Sequence, residues 1–372
     1  MPRPPRRKNK VKTPLLPESK ISVQACTRCL MPSTYPGIAF DANGVCNHCR
    51  KFVKQEPLGR QKLLEAINPG RGRNYDVLIG ISGGKDSCYV AYFAKRELNL
   101  RVLAVSYDFP FMVDLARSNI RAVCESLAVE YRIVRTKRNL EYRLLRNHLM
   151  SLLKTGTTWG QCMFCHYGIE AILRKVAMEE GIPVMLSGTT SNELWWDPGN
   201  RTKFLFDRVK RLTLLEKAGF AWRQSRAYAC LVEQRRQFPI PGNSALSAYR
   251  RPALPQSGPR AIRMFDYVAW DQKEIEETLM REAGWRKPDK AISWRYDCIL
   301  EPLLDYTYKK EFGISSTGLY LCGLIRSGIM NRDEAEGIRA RSEDGQLLTK
   351  CVRDVFKFLN LSPQSADVFL AH

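Results

Sequence analysis

The stretch Gly80-Ile-Ser-Gly-Gly-Lys-Asp-Ser87 lies between an apolar run and a segment with helical spacing. The run Tyr75–Ile81 predicts a buried strand, and Ser87–Leu98 predicts a helix. A glycine-rich turn at the start of a helix directs several backbone N–H groups and the positive end of the helix dipole towards an anion. Glycine is required there because the backbone has to approach the anion closely. The sequence therefore predicts a phosphate-binding loop between a strand and a helix.

The spacing of this loop excludes one common class of phosphate loop. A Walker A loop has four residues between its glycines and a Ser or Thr directly after its lysine. Here three residues separate Gly80 from Gly84, and Asp86 follows Lys85. We therefore do not expect a loop that serves transfer of the terminal phosphoryl group of ATP.

The segment Ser82–Ser87 resembles the SGGxDS signature of the PP-loop ATP pyrophosphatases. The resemblance implies that the loop grips the β,γ-pyrophosphate of ATP. It also implies that ATP is split between its α- and β-phosphates, so that AMP is placed on a substrate oxygen. A second ATP-contacting turn of that family is similar to Ser187–Glu193, which follows a predicted strand. The implied ATP-binding residues are Ser82, Gly83, Gly84, Lys85, Asp86, Ser87, Gly188, Thr189 and Glu193.

Three charged residues of these turns suit the chemistry of ATP cleavage. Asp86 and Glu193 are the acids best placed to bind Mg²⁺ beside the phosphates, because that ion prefers hard oxygen ligands. Lys85 would neutralise charge on the leaving pyrophosphate. We therefore expect Lys85 and Asp86 to be catalytic and the reaction to use ATP and Mg²⁺.

Short apolar runs and amphipathic segments alternate along the chain from Tyr75 onwards. Strands that alternate with helices of about 10–15 residues indicate βαβ units, so we predict an α/β fold with a parallel sheet and helices on both faces. Further strands are predicted at Val102–Ser106, Tyr131–Arg135 and Pro183–Ser187, and further helices at Asp114–Leu127, Leu140–Leu153 and Glu170–Glu180. The predicted order is a basic arm (1–22), a zinc ribbon (23–55), the ATPase domain (56–197), a basic loop-rich insertion (198–265) and a helical C-terminal region (266–372).

The net charge of +21 is concentrated in two segments. Residues 1–20 carry +6 and residues 200–265 carry +11, which is 17 of the 21 charges. Such segments are either solvated surface or a binding surface for an anionic partner, namely a nucleic acid or a phosphate-bearing small molecule. The chain has no run of about 20 apolar residues and no apolar signal-peptide core, so we predict a cytoplasmic protein that does not enter the membrane.

Four cysteines near the N-terminus form the pattern CxxC-x16-CxxC: Cys26, Cys29, Cys46 and Cys49. Two thiolate pairs at this spacing close a tetrahedral site, which is typical of a structural zinc ribbon. The alternatives are an iron site of the same geometry and four unrelated thiols. Because zinc would use all four ligands, we expect a structural metal without an open coordination position.

A third CxxC pair, Cys162 and Cys165, lies between two predicted helices of the ATPase domain. Two thiolates are too few for a closed metal site, so the pair is a redox dithiol, two structural thiols, or part of a cluster completed elsewhere. Some PP-loop enzymes that thiolate tRNA hold a [4Fe–4S] cluster with such a pair and one distant cysteine. This resemblance implies Cys298 as the third ligand, with Cys322 and Cys230 as weaker candidates. In a reactive role, Cys162 and Cys165 would be catalytic.

The chain more widely resembles the N-acetyl sugar amidotransferases of lipopolysaccharide and other surface-polysaccharide biosynthesis. Beyond the phosphate loop, the resemblance rests on Cys26–Pro32, Asp41–Cys49, Cys162–Cys165, Gln272–Ile275, Gly284–Trp285, Leu324–Gly328 and Asn331–Ala335. It implies that an amide oxygen of a small-molecule acceptor, such as a nucleotide sugar, is adenylated and that ammonia then displaces AMP. It also implies separate glutaminase subunits that supply the ammonia.

Two other functions are compatible with these motifs. In the first, sulfide held on an iron–sulfur cluster attacks the same adenylate, on tRNA or on a small molecule. The third cysteine pair favours this reaction, and the basic charge is compatible with tRNA. In the second, the chain is a non-catalytic zinc protein that binds nucleic acid, but an intact phosphate loop argues against that function. The sequence therefore favours an amidotransferase, with sulfur transfer as the alternative.

Overall fold

In the computed structural model, the described residues are 24–71, 74–158, 161–190, 205–239, 258–288, 295 and 297–372. The predicted basic arm (1–22) and the predicted ATP ligand Glu193 lie outside these residues. None of the helices in the described part of the chain combines the length and the apolar character needed to cross a membrane.

A five-stranded parallel sheet lies at the centre of the molecule. Its strands are β1 (Val77–Gly80), β2 (Val102–Tyr107), β3 (Glu130–Val134), β4 (Val184–Ser187) and β5 (Arg260–Arg263). They lie side by side in the order β3-β2-β1-β4-β5. Strands β1 and β2 are continuous apolar runs because both faces of the sheet are covered there. The predicted parallel α/β sheet is therefore confirmed.

Helices pack on both faces of this sheet. The helices up to residue 282 whose bounds are defined are α1 (Asn47–Lys51), α2 (Arg60–Ile67), α3 (Lys85–Tyr92), α4 (Asp114–Ser126), α5 (Leu140–Leu152), α6 (Gln161–Glu179), α7 (Leu214–Gln237) and α8 (Gln272–Glu282). Helix α3 contacts α4 and α8 on one side, whereas α5, α6 and α7 contact one another on the other side. The carboxyl ends of the strands, where open α/β sheets bind their ligands, therefore lie between two helical layers.

Helix α6 begins earlier than the sequence predicted. It starts at Gln161 rather than at Glu170, so the third cysteine pair lies on a helix and not between two helices. Gly168 lowers the helix propensity of this segment. A Cβ at Gly168 would lie 2.6 Å from Nε2 of Gln234 on α7. The glycine is thus explained by close helix packing rather than by a helix end.

In its described part, the segment predicted as a loop-rich insertion contains regular elements, among them helix α7 and strand β5. Helix α7 begins with a capping box, in which Thr213 and Glu216 each accept a backbone N–H of the other residue. Strand β5 extends the sheet beside β4 but is half-exposed, so its sequence Arg260-Ala-Ile-Arg263 lacks the apolar run of a buried strand. The polar sequence of β5 is therefore explained by its position at the edge of the sheet and not by an irregular backbone.

The C-terminal region is helical, as predicted. Its helices are α9 (Glu301–Phe312), α10 (Ser316–Arg326), α11 (Arg332–Ser342), α12 (Gly345–Phe358) and α13 (Pro363–Ala371). The N-terminal cysteine segment packs on this layer. The Thr34 hydroxyl donates to the carbonyl of Phe312 at 2.7 Å, and the Tyr35 ring lies 5.5 Å from the Phe312 ring.

Candidate active site and metal centre

The phosphate loop connects β1 to α3 and has a backbone that only glycine can adopt at one point. Gly83 has a φ of +80°, and a Cβ there would overlap the carbonyl oxygen of Ala116 on α4. The carbonyl of Gly83 accepts the Trp285 indole N–H at 2.9 Å and an Asn119 side-chain N–H at 3.3 Å. The loop is therefore fixed by α4 and by the segment after α8, and both glycine and indole are needed for its shape.

Two serines stabilise the loop from within. The Ser87 hydroxyl lies 3.2 Å from the Ser82 hydroxyl, accepts the backbone N–H of Ser82 at 3.1 Å and donates to the carbonyl of Gly84. The backbone N–H of Gly84 points towards the Ser82 hydroxyl at 3.4 Å. These bonds hold the turn at the N-terminus of α3, where partial positive charge favours an anion.

Lys85, Asp86 and Trp270 form a compact group beside the loop. The Lys85 ammonium is 2.8 Å from Oδ2 of Asp86 and lies 5.3 Å from the centre of the Trp270 ring. The Trp270 indole N–H donates to Oδ1 of Asp86 at 2.7 Å. Only 3% of the Lys85 surface is exposed, so its charge is held in place by these neighbours. Sequence reasoning missed Trp270, because it lies 184 residues from Asp86 along the chain.

The second predicted ATP-contacting turn meets the first at the carboxyl ends of β1 and β4. A Cβ at Gly188 would lie 2.9 Å from the backbone carbonyl oxygen of Asp86, so the two turns touch at this glycine. Thr189, the next residue, is exposed. The structure thus brings Gly188 and Thr189 to the phosphate loop, as their predicted role in ATP binding requires.

The third cysteine pair lies close to a cysteine that is distant along the chain. Cys162, Cys165 and His166 lie in the first turns of α6. The backbone of Cys298 forms an isolated antiparallel β-bridge with Met112, which follows β2. All three thiols keep accessible surface. Burial nevertheless raises the pKa of Cys298, and the charges of Asp297, Cys165 and Cys162 raise it further. We call the space between these cysteines, His166 and Asp297 the thiol cavity.

The local environment also shifts the pKa values of two other groups beside these thiols. Burial, followed by the charges of Cys162 and Glu141, raises the pKa of Cys165. Burial lowers the pKa of His166 to about 4, and the nearby charge of Arg295 acts in the same direction. The imidazole is therefore neutral at physiological pH and cannot supply a positive charge to the thiols.

Asp297 connects the thiol cavity to the phosphate loop. Its Oδ2 lies 3.7 Å from the position that a Cβ of Gly84 would occupy. Its backbone carbonyl accepts the N–H of Val113 at 3.1 Å, which fixes the segment before Cys298 beside the residues that follow β2. The cavity and the loop are therefore neighbours at the same edge of the sheet.

The N-terminal cysteines form a closed, buried group that could hold a metal ion. The Sγ atoms of Cys26, Cys29, Cys46 and Cys49 all lie within 4.8 Å of one another, and each residue is at most 1% exposed. The pairs Cys26–Cys49 and Cys29–Cys46 are both 3.8 Å apart. Four sulfurs around one zinc ion at the usual Zn–S distance would be about 3.8 Å apart. The donor set and spacing fit a tetrahedral ion.

Backbone and side-chain contacts prepare these thiols for a metal. Cys26 Sγ accepts the N–H groups of Cys29 and Cys46 at 3.4 and 3.2 Å, and Cys46 Sγ accepts the N–H of Cys49 at 3.4 Å. Hydrogen bonds from Cys29 and Cys49 lower the pKa of Cys46. The same side-chain contacts raise the pKa of Cys49, so they favour the thiolate at Cys46 and the thiol at its neighbour.

Three residues of the C-terminal layer surround the metal site. Arg326 on α10 is 2% exposed, and its guanidinium donates to Cys29 Sγ at 3.5 Å. The buried Cys322 lies one turn before Arg326 on α10, and its hydrogen bond with Cys29 raises the pKa of Cys29. Arg332 on α11 donates to the carbonyls of Cys26 and Cys29 at 2.7 and 2.9 Å. None of these contacts was predicted from the sequence.

Comparisons with known proteins were made for the whole chain. A solved structure of the U34-tRNA thiolase NcsA from Methanococcus maripaludis, with its [4Fe–4S] cluster, is 18% identical with a TM-score of 0.30, and the match covers 83% of this chain and 87% of that one. That likeness is too distant to support an argument. A curated protein of Methanocaldococcus jannaschii named "Probable sulfurtransferase" is 26% identical over 149 residues, which is 38% of this chain and 42% of the relative. The chain thus matches about two fifths of that relative's length.

A family model matches a long, continuous part of the chain. The model described as asparagine synthase matches residues 64–294, well over half of the chain. The matched range contains the phosphate loop, the turn after β4 and the third cysteine pair, and it excludes the four-cysteine metal site. The chain therefore belongs to the asparagine synthase family, within the PP-loop ATP pyrophosphatase superfamily.

Proposed function

We propose that this protein is an ATP-dependent sulfurtransferase. The observation that supports the proposal best is the position of Cys162, Cys165 and Cys298 together in one cavity beside the phosphate loop. Residues that lie far apart in the sequence meet there, next to the place where AMP would be transferred. The curated relative named a sulfurtransferase supports the same reaction.

The first half of the proposed reaction activates an acceptor with ATP. A carbonyl oxygen of the acceptor attacks the α-phosphorus, the bond to the β-phosphate breaks, and pyrophosphate leaves. The backbone of the loop binds the pyrophosphate, and Lys85 offsets its charge. Asp86, together with Glu193, would hold Mg²⁺ beside the phosphates. In the structure, the Trp270 indole N–H and the Lys85 ammonium orient the two oxygens of Asp86.

The second half replaces oxygen with sulfur. Sulfide adds to the activated carbon, and AMP leaves with the former carbonyl oxygen, so that a C=S bond takes the place of C=O. The thiols of Cys162, Cys165 and Cys298 do not lie within the 4.8 Å spread of a single-ion site, unlike the N-terminal cysteines. A [4Fe–4S] cluster held by these three cysteines would keep one iron free, and that iron could hold sulfide. Asp297 lines the cavity between these thiols and the loop.

We propose further that the four-cysteine site holds zinc as a structural metal. Its sulfur spacing and complete burial match a closed tetrahedral site. With four protein ligands it has no position for a substrate. Its role would be to join the N-terminal segment to α10 and α11 through Arg326 and Arg332.

Ammonia transfer, the function that the sequence favoured, is the second candidate. The asparagine synthase family match and the resemblance to sugar amidotransferases favour it. The adenylate would be the same, but ammonia from a separate glutaminase subunit would displace AMP, and the acceptor would be a small molecule such as a nucleotide sugar. In that case the thiol cavity would not need to bind iron.

The distinguishing experiment uses protein purified without oxygen. Wild type, Cys162→Ser, Cys298→Ser and the control Cys351→Ser are compared for zinc, iron, acid-labile sulfide and visible absorption. We expect about one zinc and about four iron per chain in wild type and in the control, with iron lost in both cavity variants. Cys351 lies on α12 in the C-terminal layer, outside both cysteine groups.

Two results would overturn the proposal of sulfur transfer. One is wild-type protein that contains zinc but no iron and forms AMP faster with ammonium than with sulfide, which would establish the second candidate. The other is full retention of iron and sulfide in both cavity variants, since the cysteines of the cavity would then not be the ligands.

A further inference from the structure

A second cavity lies next to the thiol cavity, beyond the carboxyl ends of β2 and β3. It has a volume of about 310 Å³ and is lined by Asp108, Phe109, Pro110, Arg117, Arg135, Thr136, Asn139 and Glu141. The carboxyl ends of parallel strands are where open α/β sheets bind ligands. Glu141 accepts a side-chain N–H of Gln234 at 3.2 Å, and Gln234 packs against Gly168, one turn after Cys165 on α6. The two cavities are therefore neighbours.

The outer rim of this second cavity is strongly basic. Six exposed cations, which we call the basic ridge, come from the end of β3, from α5 and from α7: Arg135, Lys137, Arg138, Arg143, Arg226 and Arg236. The backbone N–H of Lys137 donates to the Gln237 side chain at 2.8 Å, which joins the β3–α5 connection to the end of α7. The ridge therefore runs over three adjoining elements.

The middle of the ridge lies at the contact between α5 and α7. Cys230 on α7 packs there with Leu140 and Leu144 of α5. Burial raises the pKa of Cys230, and the charges of Arg143 and Arg226 oppose that rise, so both guanidinium groups lie near this thiol. Cations from two different helices are thus gathered on one surface.

Most of these charges are not balanced by acids. Arg135 pairs with Asp108 at 2.6 Å. In the described part of the chain, no carboxylate forms an ion pair with Lys137, Arg138, Arg143, Arg226 or Arg236, whereas Arg132 and Lys154 nearby are paired with Glu180 and Glu216. Gathered like charges repel one another and destabilise the folded state. A bound anion would remove that repulsion.

The backbone at the β3–α5 connection, at one end of the ridge, is strained. Arg138 and Asn139 both adopt left-handed conformations, with φ of 62° and 48°. Two consecutive residues of this kind, one of them an arginine, are unfavourable, and such strain is typical of functional segments. Here the strained turn holds Lys137 and Arg138 exposed at the mouth of the second cavity, which Asn139 lines.

We propose that the basic ridge binds the phosphate backbone of an RNA, and that the acceptor of the reaction is a base of that RNA. The reaction itself rests on the proposed function, but the binding surface does not. A single phosphate group needs two or three cations at one point, whereas cations spread over three elements match a chain of phosphates. A base turned out of such a chain would enter the second cavity and so approach the thiol cavity.

The test measures binding of fluorescently labelled, unfractionated bacterial tRNA to the full chain at several salt concentrations. The ridge variants are Lys137→Glu/Arg138→Glu and, on a different element, Arg226→Glu/Arg236→Glu. The matched control is Lys62→Glu/Lys350→Glu, which changes the net charge equally. Lys62 lies on α2, beside β5 at the other edge of the sheet, and Lys350 lies on α12.

We expect each ridge variant to bind tRNA at least about tenfold more weakly than wild type. The slope of log affinity against log salt concentration should become shallower by about 0.7 for each lost phosphate contact. The control should bind tRNA as wild type does. Equal weakening in ridge and control variants, or unchanged binding in both ridge variants, would overturn the proposal. So would normal tRNA binding by ridge variants that have lost binding of uridine diphosphate, because the ridge would then be a small-molecule site.

These outcomes can be separated from those for sulfur transfer, because tRNA binding is measured without ATP. A protein that binds tRNA through the ridge but contains no iron would support the RNA surface and contradict sulfur transfer. An iron-containing, AMP-forming protein that does not bind tRNA would contradict the RNA surface alone.

Discussion

The two groups of cysteines differ in almost every physical property. Cys26, Cys29, Cys46 and Cys49 are at most 1% exposed, have sulfurs 3.8 Å apart in pairs, and come from one segment of the chain. The thiols of the cavity keep accessible surface, and Cys298 comes from a segment far along the chain from the α6 pair. One group is closed on all sides, and the other is open to a cavity beside the phosphate loop.

In the proposed function, this difference separates a structural site from a chemical one. A metal with four buried protein ligands cannot bind a substrate, so its free energy of binding can only stabilise the fold. A group of three ligands in an accessible cavity contributes less to folding but can hold a reactive species. The same residue type therefore serves different purposes according to the number of ligands and their exposure.

The largest expected effect tests this assignment through stability. Cys49→Ser should remove the zinc and lower the free energy of unfolding by at least about 3 kcal/mol, because metal binding and folding are coupled. Cys165→Ser should lower it by less than about 1 kcal/mol while abolishing product formation. Urea unfolding with zinc analysis of both variants provides the measurement. If Cys49→Ser keeps its zinc and its stability, the four-cysteine site is not a structural metal site.

The features that the sequence predicted correctly are local ones. The phosphate loop occupies eight consecutive residues, and the four cysteines lie within 24. Spacing alone therefore defines their geometry. The strands β1 and β2 were also predictable, because burial on both faces requires a continuous apolar run. Chemistry encoded in one short segment can be inferred without knowledge of the fold.

The features that the sequence did not predict depend on tertiary contacts. Trp270, Asp297 and Arg326 act on residues that are distant along the chain, and no local pattern distinguishes them from ordinary core or surface residues. Cys298 was proposed only from a resemblance, although the structure does place it beside the α6 pair. Strand β5 was missed because an edge strand needs little apolar sequence. The choice between sulfide and ammonia is likewise not encoded in the ATP-binding motifs.

A second, intermediate effect would sharpen the description of the closed site. A divalent ion with four thiolates retains net negative charge, and the buried Arg326 beside Cys29 offsets it. Arg326→Met keeps most of the side-chain volume but removes that charge. We expect zinc affinity to fall by about 10–100-fold, measured by competition with a chromogenic chelator. Arg353→Met, which removes a surface cation paired with Asp367, is the control and should not change zinc affinity. Equal zinc affinity in both variants would show that the charge of Arg326 does not contribute to zinc binding.

The smallest expected effect concerns the ATP half of the site, which should depend on neither group of cysteines. Trp270→Phe removes the indole N–H that donates to Asp86 at 2.7 Å and keeps an aromatic ring against Lys85. A hydrogen bond to a charged group contributes about 1.5–3 kcal/mol, so we expect AMP formation to slow by about tenfold or somewhat more.

The zinc and iron contents of Trp270→Phe should equal those of wild type, and so should those of the control Trp222→Phe, whose ring is 66% exposed on α7. Only Trp270→Phe should slow AMP formation. A loss of iron in Trp270→Phe would mean that the phosphate loop and the thiol cavity are not independent units. The four-cysteine site would then have to be compared with one continuous active site made of the loop and the thiols. In that active site, Asp297 would couple nucleotide binding to the binding of the reactive group.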